Sequence, residues 1–167
     1  VMFSLDTFGD NMIESIRAMR EIEDAAGLRA VNVRFLTKTG EWRNLQLTAI
    51  SDYEEMTINK IKPQTGNYPP GEREVLIERA SLSPSLGLGD VVVGDVLTVE
   101  APNGKQRQIR VAGTVHDMSQ LPAFINGAGY GYVTFETLEW LGEPRNYNQV
   151  VFVVNENKDD FDHISDV

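Results

Sequence analysis

Cysteine is absent from this 167-residue chain, which excludes thiol catalysis, disulfide bonds and cysteine-ligated zinc, although a cysteine-free chain suits either redox compartment. Histidine is nearly absent: the only two are His116 and His163, far outside metal-ligand spacing of one another. Positive charge is scarce too. Fifteen Lys and Arg stand against 25 Asp and Glu, a formal net charge of −10 with a pI near 4.6. No run of the sequence forms a basic cluster, so nucleic acid and an anionic bilayer surface are excluded as primary ligands. Long apolar runs are missing as well. The longest, Val150-Val151-Phe152-Val153-Val154, falls well short of the roughly 18 residues of a membrane-spanning helix.

What is present is ordinary for a folded domain: 41% hydrophobic and 24% charged residues give enough apolar surface for a core and are far from the composition of disorder. The chain starts at Val1 without a signal-peptide pattern, and Lys158-Asp159-Asp160-Phe161-Asp162-His163-Ile164 has acidic residues followed by spaced apolar ones, as a helix would begin. Both ends read as cuts, and a fragment of a longer protein is expected.

Periodicity gives the elements. Met12, Ile16, Met19 and Ile22, with Ile13 and Ala26 beside them, predict a helix from Asp10 to Ala26 capped by Gly27. Alternation of Val31, Val33 and Phe35, a Lys38-Thr39-Gly40 turn, and alternation of Leu45, Leu47 and Ala49 predict a hairpin with one wet face. The turn-rich stretch from Lys62 to Glu72 breaks the pattern and marks a junction. Beyond it the sequence predicts a strand at Glu74-Val75-Leu76-Ile77, a short helix from Glu78 to Leu86, and a long hairpin from Asp95 to Val115. Asn103-Gly104 is expected to form the type I′ turn of that hairpin, with Leu97, Val99, Ile109, Val111 and Val115 on one face. Last come a strand from Tyr130 to Thr134, a helix from Phe135 to Leu141 and a strand from Tyr147 to Val154, a βαβ-like return to the first part of the chain. Irregular interleaving of helices and strands favours α+β over a doubly wound sheet.

The chemistry-bearing residues form no recognisable constellation. His116 beside Asp117 is a conceivable base held by a carboxylate, but a structural histidine is the simpler reading. Gly127-Ala128-Gly129-Tyr130-Gly131 precedes a strand, whereas a phosphate-binding glycine loop follows one and opens a helix. The acidic groups Glu21/Glu23/Asp24, Asp52/Glu54/Glu55 and Asp159/Asp160/Asp162 lack the spacing and central glycine of a calcium loop. No serine lies in a Gly-x-Ser-x-Gly elbow. Catalytic, cofactor-binding and metal sites are therefore all expected to be absent. Trp42, Phe124 and Tyr130 are candidate contacts for a partner protein, and Trp140 is expected in the core.

The order of residues from Glu74-Val75-Leu76-Ile77 through Ala80, Leu86-Gly87, Val93-Gly94-Asp95, Leu97-Thr98-Val99 and Gly104-Lys105 to Ile109-Arg110-Val111-Ala112-Gly113-Thr114-Val115-His116-Asp117 resembles the extracytoplasmic core domain of MacB/FtsX-type ABC transporter permeases. Gly131-Tyr132-Val133-Thr134, Leu138 and Leu141-Gly142 continue the resemblance, with Ser51-Asp52-Tyr53 and Gly66 upstream, so that it covers roughly 52–154. Thr114 stands where the family usually has an aliphatic residue, and the connection from Gly87 to Asp95 is longer than usual.

The resemblance implies a porter-like α/β subdomain built from 1–61 and 119–167, with a smaller β-rich subdomain, 62–118, inserted. It implies no enzyme activity and no cofactor in the domain itself, ATP being used by a separate cytoplasmic ABC ATPase. The implied partners are the membrane part of its own permease, that ATPase, and an extracytoplasmic adaptor, substrate or hydrolase; the location is the outside of a bacterial plasma membrane. An isolated monomer is expected, with Lys62 to Glu72 and Met118 to Gly129 as the crossings between subdomains. Two other classes remain open: a ligand-sensing domain of a membrane receptor, with a tight apolar pocket, and a hydrolase or carbohydrate-binding domain using Asp52, Glu54 or Asp117, with a raised carboxyl pKa in a cleft.

Overall fold

Alternating apolar and polar residues build most of this molecule, because a strand turns every second side chain to the same face. The computed structural model describes residues 2–58, 61–120 and 123–154. Over these the chain runs β1 (Met2–Phe8), α1 (Asp10–Arg17), β2 (Ile22–Leu36), β3 (Trp42–Ala49), β4 (Lys62–Gly66) and β5 (Glu74–Glu78). Two single 3-10 turns follow, Arg79–Ser81 and Pro84–Leu86, then β6 (Val96–Glu100), β7 (Gln106–His116), α2 (Ala123–Asn126), β8 (Gly129–Val133), α3 (Phe135–Leu141) and β9 (Tyr147–Val154). The mixed α and β character expected from the sequence is present, on a sheet ordered β1-β9-β2-β3-β8-β5-β7-β4.

Six strands close on themselves in the order β2-β3-β8-β5-β7-β6, because β6 pairs with β7 and returns through Val99 and Glu100 to Phe35 and Arg34 of β2. Closure leaves no free edge between these strands and gives their apolar side chains one shared interior. Phe35, Leu45, Leu47, Val75, Ile77, Val99, Ile109 and Val111 fill it, with Leu88 and the Leu138 and Leu141 side chains of α3 joining the same cluster. On β8, Gly129 and Gly131 alternate with Tyr130 and Tyr132. A Cβ on Gly129 would lie 2.7 Å from Leu88 Cδ1, and one on Gly131 2.8 Å from Val75 Cγ2. These glycines make room for the barrel's own side chains and do not cradle a phosphate.

Below the barrel, β1, β9 and the first half of β2 form an antiparallel sheet on which α1 packs, its Ile13 meeting Ile22, Ala25, Val150, Phe152 and Val154. A third apolar cluster, with Leu28, Ile50, Tyr53, Leu76, Ala112, Val115, Tyr132 and Val151, covers the outer wall of the barrel. β5, β6 and β7, from 62–118, share the barrel with β2, β3 and β8, from 1–61 and 119–167.

The hairpin at Lys38-Thr39-Gly40, the strand at Glu74, the helix Phe135–Leu141 and the strand Tyr147–Val154 form as their periodicity predicts. The βαβ return is real: β9 runs parallel to β8, with β2 and β3 lying between them. Other expectations are corrected. The helix predicted from Asp10 to Ala26 stops at Arg17, because Ile22 to Leu28 pair with β9 instead and long-range pairing overrides local spacing. Gly27 is not a cap; its missing Cβ admits the ring of Tyr147, which an added Cβ would meet at 2.6 Å. Lys62–Gly66, read as a junction, is a strand on β7. The helix predicted from Glu78 to Leu86 is two 3-10 turns separated by Leu82 and Ser83, with Pro84 opening the second. The β6–β7 turn is not type I′, since Asn103 has no positive φ. The loop Pro102-Asn103-Gly104 is instead bridged by the Ala101 N–H to the Lys105 carbonyl, with only Gly104 left-handed, at φ +79°. Val115 packs outside the barrel rather than with Ile109, because the β5–β7 register shifts between Val111 and Gly113. The helix start near residue 158, His163 and the acidic group at Asp159 lie outside the described residues.

Candidate functional site

A cleft of about 330 Å³ opens between α1, the lower part of β2 and the segment after β3. Its floor is apolar, made by Ile13, Ala26, Leu28, Ile50 and Met56; its rim carries Asp10, Glu14, Asp24, Asp52 and Glu55 against a single cation, Arg17. The rim is internally bonded. Arg17 Nε donates to the Ala25 carbonyl at 2.7 Å and lies 3.3 Å from Asp24 Oδ1, Thr57 Oγ1 donates to Asp24, and Tyr147 OH donates to Asp10 at 2.8 Å. Burial and the Asp10 carboxylate raise the Tyr147 pKa, so this hydroxyl stays protonated.

Asp52, a carboxylate named only in the alternative hydrolase or carbohydrate-binding reading, accepts the backbone N–H groups of Glu55 and Glu54 at 2.9 and 2.8 Å, and these hold its pKa below the ordinary value. An ionised, exposed carboxylate of this kind is no general acid. Asp117 does not line this cleft. It is buried, with Oδ2 accepting from Tyr132 OH at 2.5 Å and Oδ1 accepting the Ser119 N–H at 2.8 Å. His116 turns away from Asp117: its Nδ1 lies 3.5 Å from Glu78 Oε1 and its Nε2 3.2 Å from an Arg79 nitrogen. The structure therefore leaves Asp52, Asp117 and His116 in three separate settings, none of them a catalytic arrangement. Among the described residues no group of three or more His, Asp or Glu is placed to hold a metal ion.

A second, shallow cleft of about 450 Å³ lies between the β2–β3 turn and the long connection before β6, lined by Thr37, Lys38, Pro84 and Asp90 among others. Lys38 pins that connection. Its Nζ is 3.0 Å from Asp95 Oδ2 and donates to the Asp90 carbonyl at 2.6 Å. The sequence showed the connection to be long but held no sign of what fastens it.

The three aromatics expected to meet a partner are scattered. Trp42 begins β3, half-buried under the Arg34 guanidinium, which sits 5.4 Å from its ring centroid and is ion-paired to Glu100. Tyr130 is a correction: it is buried with Leu86 and Ala123, and its backbone N–H donates to Ser81 Oγ at 2.9 Å, so it offers no surface. The Phe124 side chain is not among those described. Trp140, expected in the core, is only half-buried and carries two arginines on its ring: Arg73 at 5.2 Å and Arg107 at 5.9 Å. Sequence reasoning missed this cluster because Arg73, Arg107 and Trp140 come from a turn, β7 and α3, far apart in the chain.

No family model and no curated protein matches the sequence. Solved structures do match. The extracellular domain of the noncanonic ABC-type transporter YknZ from Gram-positive bacteria is similar at TM-score 0.62 and 16% identity, over 99% of this chain and 86% of that one. The periplasmic region of MacB from Actinobacillus actinomycetemcomitans is similar at TM-score 0.53 and 12% identity, over 99% of this chain and 77% of that one. The chain has the fold of extracytoplasmic domains of ABC-type transporters. No helix among the described residues is long and apolar enough to cross a membrane.

Proposed function

We propose that this chain is the extracytoplasmic domain of an ABC transporter permease, with mechanical coupling rather than catalysis as its work. In this reading ATP is hydrolysed by a separate cytoplasmic subunit or domain, and the resulting movement is passed through the membrane part to this domain. The domain then acts on a substrate, adaptor or hydrolase partner outside a bacterial plasma membrane. The observation that carries the reading is the likeness of fold over 99% of the chain to the YknZ extracellular domain. Two features fit it. Met2 of β1 lies opposite Val151 near the end of β9, so the first and last described strands approach the same end of the sheet, as an insertion between two membrane segments needs. β2 also runs 15 residues from that sheet into the barrel, about 50 Å at roughly 3.3 Å per residue, a continuous link between the two.

The division into 1–61 with 119–167 and an inserted 62–118 belongs to this reading, as do the absence of a cofactor in the domain, a monomeric isolated chain and Trp42 as a partner contact. The carboxylate-enzyme alternative needs a carboxyl with a raised pKa, and the Asp52 that rims the first cleft is shifted the other way. The sensor alternative needs a tight apolar pocket, whereas that cleft is open and acid-rimmed.

The 167 residues contain no cysteine, so in a full-length protein with any other cysteines replaced by serine one introduced thiol reports on this domain. Val93 is exposed on the connection before β6. In the full-length protein in intact cells, Val93→Cys is expected to react with a membrane-impermeant maleimide. Paired spin labels at Met19 and Val93 are expected to change separation when ATP replaces ADP. Labelling only after lysis overturns the extracytoplasmic reading, and a separation blind to nucleotide overturns the coupling.

A further inference from the structure

In a chain whose carboxylates outnumber its cations by ten, two arginines that meet on one aromatic ring without a carboxylate between them stand out. Arg17, Arg29, Arg34, Arg43 and Arg145 each have a carboxylate partner. Arg73, Arg79, Arg107 and Arg110 have no carboxylate ion pair among the described residues; Arg79 reaches His116 instead, and of the four it is Arg73 and Arg107 that stack together on the half-buried ring of Trp140. The Arg107 guanidinium also reaches the adjacent Gln106 carbonyl, at 3.4 Å, a contact that leaves its charge uncompensated. The other arginine–tryptophan stack, Arg34 over Trp42, is already neutralised by Glu100.

The backbone supplies an independent sign. Among the described residues Arg73 is the non-glycine residue with positive φ, +60°, in the left-handed region that disfavours a long side chain. Two hydrogen bonds hold it there. Its N–H donates to Thr137 Oγ1 at 3.0 Å, and its carbonyl accepts the Arg110 N–H, also at 3.0 Å. A glycine or asparagine would suit that position better, so the fold holds a guanidinium where the local backbone does not favour one. Strain of this kind concentrates at ligand sites.

We infer that Arg73, Trp140 and Arg107 form a docking site for an acidic, extended segment of a partner protein. Two guanidiniums flanking one indole offer charge-assisted hydrogen bonds to carboxylates beside a flat apolar face. Arginine and tryptophan are also the residues in which interface binding energy concentrates. Both guanidiniums lie within 6 Å of the same ring centroid, so three or so residues of extended chain, about 10 Å, can reach both. The overall negative charge disfavours acidic partners over most of the surface, and two guanidiniums on one ring make this patch the place where two of the unpaired cations meet. The inference does not depend on the transporter reading.

The 167-residue chain carrying Trp42→Phe leaves Trp140 as the sole tryptophan emitter. Titrated with an acetylated hexaglutamate peptide at about 50 mM salt, it is expected to show a saturable change in emission. That binding should weaken about tenfold or more in Arg73→Gly and in Arg107→Gln, hold better in Arg73→Lys, and be absent with hexalysine. Arg73→Gly relieves the backbone, so its loss of binding cannot be put down to misfolding. The site is overturned by no saturable change, or by equal affinity in Arg73→Gly. Inorganic phosphate binding as tightly as the peptide overturns the peptide assignment in favour of a simple anion site. Arg73-dependent binding to phosphatidylglycerol vesicles without peptide binding overturns it in favour of a membrane surface.

Discussion

The hydroxyl of Tyr132, on the outer face of β8, donates to Asp117 Oδ2 at 2.5 Å and ties the end of β7 to β8 across the intervening β5. Removing the donor strands one carboxylate oxygen in a buried setting. Tyr132→Phe is therefore expected to destabilise the fold by about 1–3 kcal/mol, read as a lowered urea midpoint at unchanged slope. An unchanged midpoint would show that Asp117 is paired by solvent instead.

Burial, and then the charge of Asp117, raise the Tyr132 pKa far above its ordinary 10.0; burial likewise raises that of Tyr53, whose hydroxyl donates to the Val133 carbonyl. A folded pKa above the unfolded one means that this contribution is whole below about pH 10 and declines as pH rises beyond it. Absorbance at the phenolate band should show that two of the five tyrosines ionise only as circular dichroism reports unfolding. Reversible titration of all five in the native state contradicts this.

Asp95 is depressed by the Val92 N–H and by Lys38, and Glu100 by Arg34 and Gln106. Depressed folded values give a contribution present above the ordinary carboxylate range and lost as pH falls through the folded pKa. Stability should therefore decline below about pH 4. Lys38→Met is expected to lower stability at neutral pH and flatten that acid limb, because Asp95 then titrates closer to its unfolded value. An unaltered pH profile would mean that Lys38 does not hold the connection before β6 in solution.

A methyl group at residue 131 would stand 2.8 Å from Val75 Cγ2 and 3.0 Å from Leu47 Cδ2 inside the barrel. Gly131→Ala is expected to cost about 1–3 kcal/mol through overpacking, and Gly131→Ala with Val75→Ala to recover part of it. Additive losses in the double variant would show that the interior does not couple the two positions.

Arg73→Gly should behave in the opposite way. Relief of the left-handed backbone, about 1–2 kcal/mol, outweighs or offsets the loss of a partly exposed cation–π contact worth about 0.5–1 kcal/mol. Thermal unfolding is expected at or above the wild-type midpoint, and a clear fall would mean that the stack on Trp140 is structural.

Much of this protein was set by its sequence alone. Alternation in Val31 to Phe35 and Leu45 to Ala49 determined a hairpin, because only one parity of each strand can be apolar when one face is wet. The helix predicted from Phe135 to Leu141 is α3, and the structure adds the local devices that close it, the Thr134 hydroxyl at its N-cap and left-handed Gly142 after its C-terminus. The missing cysteine, the two histidines far from ligand spacing of one another and the acidic balance removed most chemistries before any coordinates. The fold resemblance was also readable, because it rests on the order of strand and turn signals along the chain.

Only the tertiary structure decided the rest, wherever the deciding partner is far away in sequence. Ile22 to Leu28 have helical spacing, yet they pair with Gln149 to Val154 on β9, because an added backbone ladder and a shared apolar cluster outweigh a short local helix. Barrel closure depends on two residue pairs between β2 and β6, and Arg34 and Glu100 in one of them stand 66 positions apart, a distance no local pattern can announce. The sequence shows no basic cluster, yet Arg73 and Arg107 meet on Trp140, because the turn before β5, β7 and α3 converge in the folded molecule. Local spacing fixes which face of an element is apolar; which distant face it meets is a property of the packed whole.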